Sequence, residues 1–197
     1  MKIVAAFDFD GTITNKDTLL EFITYTKGKK KLYRGLIKFL PYLILMKLKL
    51  YPNWKLKEII FSYYFKGISL NQFNEWGENF SIKISSIIRP KAVLAIENHL
   101  KKGDSVIIIS ASIENWIIPW AKKIGLINVL STKIEVDKTG KLTGKFLTKN
   151  CYGLEKVKRL IEIYPNKESF ELIAYGDSNG DKELIKFADK GFYNKFK

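Results

Sequence analysis

Ile3-Val4-Ala5-Ala6-Phe7-Asp8-Phe9-Asp10-Gly11-Thr12 carries an apolar run straight into two carboxylates. Residues 3–7 are too few for a helix and rich enough in branched and aromatic types to predict a buried strand. Side chains alternate along a strand, so Asp8 and Asp10 are expected on one side and Phe9 on the other. Two like charges that close are costly unless a cation or a shared proton compensates them. The pair therefore points to metal or proton chemistry, with a surface turn after an edge strand as the plainer alternative.

Two further apolar runs have the same grammar. Residues 105–109 lead into Ser110-Ala111-Ser112, and residues 170–175 lead into Gly176-Asp177-Ser178-Asn179-Gly180-Asp181. Helical patterns lie between them: one from Pro90 to the terminator Gly103, one capped by Ser112 and ending near Gly125, and one over 154–163. A hairpin pattern with Gly140 in its turn spans 133–147. Strands alternating with helices predict an α/β fold with a Rossmann-like, mainly parallel sheet. Ligands bind such sheets beyond the carboxyl ends of the strands, where Asp8, Asp10, Ser110, Asp177 and Asp181 would meet. Acids from two strands suit a hard cation, and no His or Cys cluster argues for zinc, so Mg²⁺ is the expected metal.

Residues 14–88 read as an all-helical insert, leaving 1–13 and 89–197 as the α/β core. Its first helix runs over 17–25 into the basic run Lys27-Gly28-Lys29-Lys30-Lys31, a solvated helix end. The segment 32–51 is apolar nearly all round, but its uninterrupted apolar part, Phe39 to Met46, contains Pro41, is bounded by Lys38 and Lys47, and falls far short of the ~20 residues that span a bilayer. It is read first as a helix buried in the insert and second as an interfacial helix on an anionic membrane. Helices over 56–65 and from Ser69 onward complete the insert, the latter opening with the capping-box spacing Ser69 to Gln72.

A chain of 197 residues with 46% hydrophobic and 27% charged residues can bury one substantial core. Its single cysteine, Cys151, rules out an internal disulfide, and the chain begins in a strand without a signal-peptide pattern. A cytoplasmic setting is expected, with a peripheral place on the inner face of the membrane as its extension. The formal charge of +14 favours anionic partners, though no aromatic and basic constellation matches a known nucleic-acid module. His99 reads as a surface residue and Cys151 as one without a role.

The set DFDGT at 8–12, Ser110 after its apolar run, Lys156 in GLEKVKRL and GDSNGD at 176–181 resembles the four motifs of the haloacid dehalogenase superfamily. The helical insert resembles the cap of that superfamily's phosphoserine phosphatase-like branch. The resemblance implies a Mg²⁺-dependent phosphomonoester hydrolase that forms an aspartyl-phosphate. Asp8 would be the nucleophile and Asp10 the acid and base. Asp8 and Asp177, with the backbone carbonyl of Asp10, would hold Mg²⁺, and Asp181 would orient Lys156 or a metal-bound water. Ser110 and Lys156 would contact the phosphoryl oxygens, with Thr12, Asp17 and Ala111 among the substrate contacts.

The resemblance extends to two substrate classes: phosphoserine, which Asp17 would meet through its ammonium, and a phospholipid head-group phosphate, as in the phosphatidylglycerophosphate phosphatases of that branch. A phosphomutase, or a protein that only binds an anionic membrane or nucleic acid through its basic surface, are the competing functions. No specific nucleic acid is expected as a partner, and the chain is expected to be a monomer.

Overall fold

The computed structural model describes residues 2–197. In chain order the elements are β1 (Lys2–Phe7), α1 (Thr18–Lys27), α2 (Lys29–Lys38), α3 (Leu40–Lys47), α4 (Asn53–Phe65), α5 (Leu70–Lys83), α6 (Pro90–Lys101), β2 (Ser105–Ile113), α7 (Glu114–Lys123) and β3 (Val129–Thr132). They continue with β4 (Ile134–Val136), β5 (Leu142–Phe146), α8 (Leu154–Ile163), β6 (Phe170–Gly176), α9 (Lys182–Phe187) and β7 (Lys190–Tyr193).

Five strands form one sheet in the order β3-β2-β1-β6-β7, all paired in parallel. The fold is therefore α/β, with β1 at the centre of the sheet. Ala5 and Phe7 face a core that includes residues of α6 and α7, whereas Val4 and Ala6 face one that includes residues of α8 and α9. A strand covered on both faces reads as a continuous apolar run, which is why the sequence of β1 lacks alternation. Pairing sets Phe7 opposite Ile108 of β2 and Tyr175 of β6, so β1 and β6 end side by side and β2 runs past them to Ile113. The edge strands β3 and β7 are short and are not visible as strands in the sequence.

After β1 the chain turns at Phe9, whose carbonyl accepts from Ile13 and Thr14. It leaves the sheet layer at Thr14, which pairs with Ile88, and returns through Arg89, whose N–H donates to Ile13. Between these points lie five helices and a 3₁₀ turn (Ile84–Ile87). Of these, α4 and α5 pack on Phe22 of α1, which meets Phe65, Phe73 and Phe80 and stacks on Trp116 of α7 at 4.5 Å. The β4–β5 hairpin packs on α4 through β5, and Phe146 N–H donates to Glu58.

Three expectations are corrected. The apolar segment 32–51 is not a single buried helix. Gly28 starts a new helix, Phe39 closes α2, and Pro41 sits in the first turn of α3, where its missing N–H costs nothing. No residue of α3 is buried, and Leu48 and Ile37 are 62% and 73% exposed.

His99 is not a surface residue. It is buried, its Nδ1 lies 2.7 Å from Asp104 Oδ2, and its Nε2 lies 3.0 Å from the Tyr175 hydroxyl.

Ser112 does not cap α7, because β2 runs on to Ile113, and the Ser112 hydroxyl turns to Thr18 instead. At Ser69 only half of the capping box forms: Ser69 Oγ accepts from Gln72 N–H, while the Gln72 amide turns to Glu75. Among the described residues no helix is long and apolar enough to cross a membrane.

Candidate active site

Asp8 follows β1 directly and is held in register by its N–H, which donates to Tyr175 O at 2.9 Å. The residue is 5% exposed, and its Oδ1 accepts from Lys156 Nζ at 2.5 Å. Lys156 stands in the first turn of α8, with its ammonium 2.6 Å from Asp181 Oδ1. One buried cation thus bridges acids from the ends of two adjacent strands.

Asp181 is anchored on its other oxygen as well, accepting from Asp177 N–H, Ser178 N–H and the Ser178 hydroxyl. Asp177, at the end of β6, presents its carboxylate to the same space and accepts from Thr12 Oγ1 at 3.4 Å. Asp8, Asp177 and Asp181 each offer an oxygen within 4.8 Å of the others. An all-oxygen set of this kind fits a hard divalent cation such as Mg²⁺.

Gly11 makes that approach possible. Its φ of +85° is open to glycine, and a Cβ there would collide with the Asp177 carboxylate.

Asp10 turns away from the three-acid cluster. Its Oδ1 accepts from Thr18 N–H at 3.1 Å and from Thr18 Oγ1 at 2.7 Å. A threonine hydroxyl has one hydrogen and two lone pairs. Giving the hydrogen to Asp10 leaves Thr18 Oγ1 to accept from Trp116 Nε1 at 3.0 Å and from the Ser112 hydroxyl at 2.8 Å. Every valence of that hydroxyl is used, so the orientation of Asp10 is fixed.

Burial pushes the Asp8 carboxyl up to about 7, against the opposing pull of the Lys156 ammonium. Burial and the nearby Asp17 raise Asp10 to about 6, against Lys57 and the two Thr18 hydrogen bonds. Burial alone would lower Lys156, but Asp8 and Asp181 outweigh it and keep the ammonium charged. Burial also works to raise Asp181, yet Lys156 and Ser178 hold it below its usual range.

Ser110 lies within the second half of β2, 1% exposed, with its Oγ accepting from Ser112 N–H. The carbonyl of Ala111 accepts from Lys57 Nζ at 2.7 Å and from Thr132. Asp17 caps α1 through Leu20 N–H, is exposed, and stands at the wall of the cavity. Asp8, Asp10, Asp17, Ser110, Ala111 and Lys156 line one cavity of about 460 Å³, with Thr12 buried behind it.

Thr18, Lys57, Asn150 and Tyr152 also stand around this cavity, and the sequence does not single them out as site residues. Thr18 leaves a faint signal as a hydroxyl just after a helix cap, whereas Lys57 is one of 34 cationic residues.

A family model described as haloacid dehalogenase-like hydrolase matches residues 5–186. The chain is 30% identical to Protein CicA of Caulobacter vibrioides (strain NA1000 / CB15N), over 99% of this chain and 87% of that protein. A solved structure of a protein of unknown function from Bordetella pertussis Tohama I superposes with a TM-score of 0.81 at 20% identity, over 95% of this chain and 88% of that one. A phosphoserine phosphatase, solved with an analogue of its phospho-aspartyl intermediate, superposes with a TM-score of 0.64 at 20% identity, over 98% of this chain and 85% of that one.

Proposed function

Because the chain belongs to the haloacid dehalogenase-like hydrolase family, we propose that it is a Mg²⁺-dependent phosphomonoester hydrolase that forms an aspartyl-phosphate on Asp8. The observation that carries this reading is the Lys156 ammonium seated between Asp8 and Asp181 beside the ends of β1 and β6. That cation neutralises acids in the resting site and remains in place to meet phosphoryl oxygens.

Asp8 and Asp177, with the backbone carbonyl of Asp10, would hold Mg²⁺, which when bound offsets carboxylate repulsion and draws charge from the phosphoryl group. An Asp8 oxygen attacks phosphorus, and the bond from phosphorus to the ester oxygen breaks. Asp10, raised to about 6 and so able to exchange protons near neutrality, gives its proton to the departing alcohol. The Ser110 hydroxyl and Lys156 hold the phosphoryl oxygens through the displacement. A water then attacks the aspartyl-phosphate as Asp10 takes its proton, releasing inorganic phosphate and restoring Asp8.

Residues 14–88 act in this reading as the cap over the site, since Asp17 and Lys57 reach the cavity from that segment. Turnover of p-nitrophenyl phosphate with Mg²⁺, its loss in Asp8→Asn, and an acid-quenched phosphorylated protein cleaved by hydroxylamine test the scheme. A protein without Mg²⁺-dependent phosphate release from any monoester overturns it.

A second reading concerns where the enzyme works. Exposed Ile37, Leu40, Ile44 and Leu48 stand among the exposed cations Lys31, Arg34, Lys38, Lys47 and Lys49. Apolar side chains ringed by cations suit an anionic lipid surface, which supports peripheral attachment through α2 and α3.

A further inference from the structure

The cavity that holds the reactive acids has a second wall of opposite character. Leu19 of α1, Leu36 of α2, Leu43 and Met46 of α3, and Leu56 and Ile60 of α4 line it. Four helices therefore contribute apolar side chains to a space whose other side is Asp8, Asp10 and Lys156. Charged groups on the helical side are few. Lys57 is tied to the Ala111 carbonyl at 2.7 Å, and Asp17 is tied to the N-terminus of α1.

From this lining we infer that the alcohol half of the substrate is apolar: a phosphomonoester of a long aliphatic or similarly hydrophobic alcohol, not of a small zwitterionic one. The inference rests on the phosphatase reading and names the substrate class of the same site. Asp17, the single acid among the helical residues of this lining, could meet an ammonium with its other oxygen, but it is exposed. The carboxylate of phosphoserine would give up water for leucine and methionine at a strong cost. An alkyl chain in the same place gains by leaving water.

The space also has room for length. A second cavity of about 680 Å³ adjoins the first, sharing Asn53, Asn150 and Tyr152 with it, and continues over Trp54, Phe146 and Leu147. Glu58, Lys149 and Glu155 line this second space as well, so the apolar contacts for the alcohol are those of α1 to α4 in the first cavity.

The test is a chain-length series assayed with Mg²⁺: butyl, hexyl and octyl phosphate below their micelle concentrations, with O-phosphoserine and p-nitrophenyl phosphate in parallel. The expected result is a kcat/KM that rises about fourfold per added methylene, with phosphoserine below octyl phosphate. Leu43→Asn and Met46→Gln, on half-buried positions of α3, are expected to flatten that slope while circular dichroism shows a folded protein.

A flat series, or phosphoserine as the best substrate, overturns the inference while p-nitrophenyl phosphate turnover leaves the phosphatase reading standing. Failure on every ester, p-nitrophenyl phosphate included, overturns both. A parallel arm with a phospholipid monoester in vesicles separates the sources of the chain: faster release from vesicles identifies a membrane lipid, and faster release from the dispersed esters a free metabolite.

Discussion

Lys156 Nζ and Asp8 Oδ1 lie 2.5 Å apart with both side chains out of water. The partners are separated by 148 residues and are joined only because α8 delivers the lysine across the end of β1. Removing one partner of a buried pair leaves an uncompensated charge, which costs about 3–5 kcal/mol. Lys156→Met is therefore expected to lower the melting temperature and to lower kcat by about 10²–10³-fold. Asp8→Asn, in contrast, abolishes turnover but removes a carboxylate crowded by Asp181, so its metal-free melting temperature is expected at or above the wild type. Thermal melts of the two variants with and without Mg²⁺ check the difference. Equal destabilisation by both would show that the pair is not arranged as described.

Thr18 lowers the proton affinity of Asp10, against the larger effects of burial and Asp17. Two hydrogen bonds from one residue favour the carboxylate form and oppose the burial that raises this group to about 6. Thr18→Val removes the hydroxyl bond and keeps the backbone one, so the Asp10 carboxyl moves further up. Because kcat/KM reports the step in which Asp10 must carry its proton, the limb that falls as that proton is lost is expected at higher pH in the variant. The Trp116 N–H and the Ser112 hydroxyl lose their acceptor as well, at a cost of about 1–3 kcal/mol of stability. A pH–rate profile unchanged from the wild type would show that Thr18 only packs.

Gly11 is the position where the loop after Asp10 passes Asp177. Alanine there meets a φ of +85° and drives its Cβ into the Asp177 carboxylate. The strain falls on the metal-facing acid, so Gly11→Ala is expected to weaken apparent Mg²⁺ affinity about 10–100-fold. Mg²⁺ titrations of initial rate, with saturating Mg²⁺ restoring most of kcat, check that the defect lies in metal binding. A loss that excess Mg²⁺ leaves untouched would place the damage elsewhere.

The sheet was legible because its three central strands are covered on both faces and so appear as mainly apolar runs at 3–7, 105–109 and 170–175, broken only by Ser105 and Glu171. Each run ends in polar residues, and those ends carry the residues that line the cavity or offer the oxygens beside it. β7 escaped notice because an edge strand of sequence Lys-Gly-Phe-Tyr pairs on one side only and carries no apolar run. Long-range polar contacts were invisible for another reason. His99 looks solvent-bound on its helix until Tyr175, 76 residues away, brings it a hydroxyl at 3.0 Å. Segment 32–51 misled because an all-round apolar pattern normally signals burial. The chain breaks it at Phe39 and Pro41 and turns much of it outward.

That outward face makes the last prediction. Leu40 and Ile44 are 52% and 50% exposed on α3, with Lys38 and Lys47 at its two ends. A basic side chain near an anionic bilayer contributes about 1 kcal/mol, and buried apolar area adds to it. The protein is expected to sediment with vesicles containing phosphatidylglycerol at low salt and to stay in solution with phosphatidylcholine alone. Raising ionic strength screens the lysines, so binding should weaken as salt increases. Leu40→Glu with Ile44→Glu replaces the apolar contact with charges of the wrong sign and is expected to abolish sedimentation. These side chains lie outside the catalytic cavity, so hydrolysis of p-nitrophenyl phosphate should continue in the double variant. Wild-type protein that ignores anionic vesicles at low salt would remove the membrane from this face altogether.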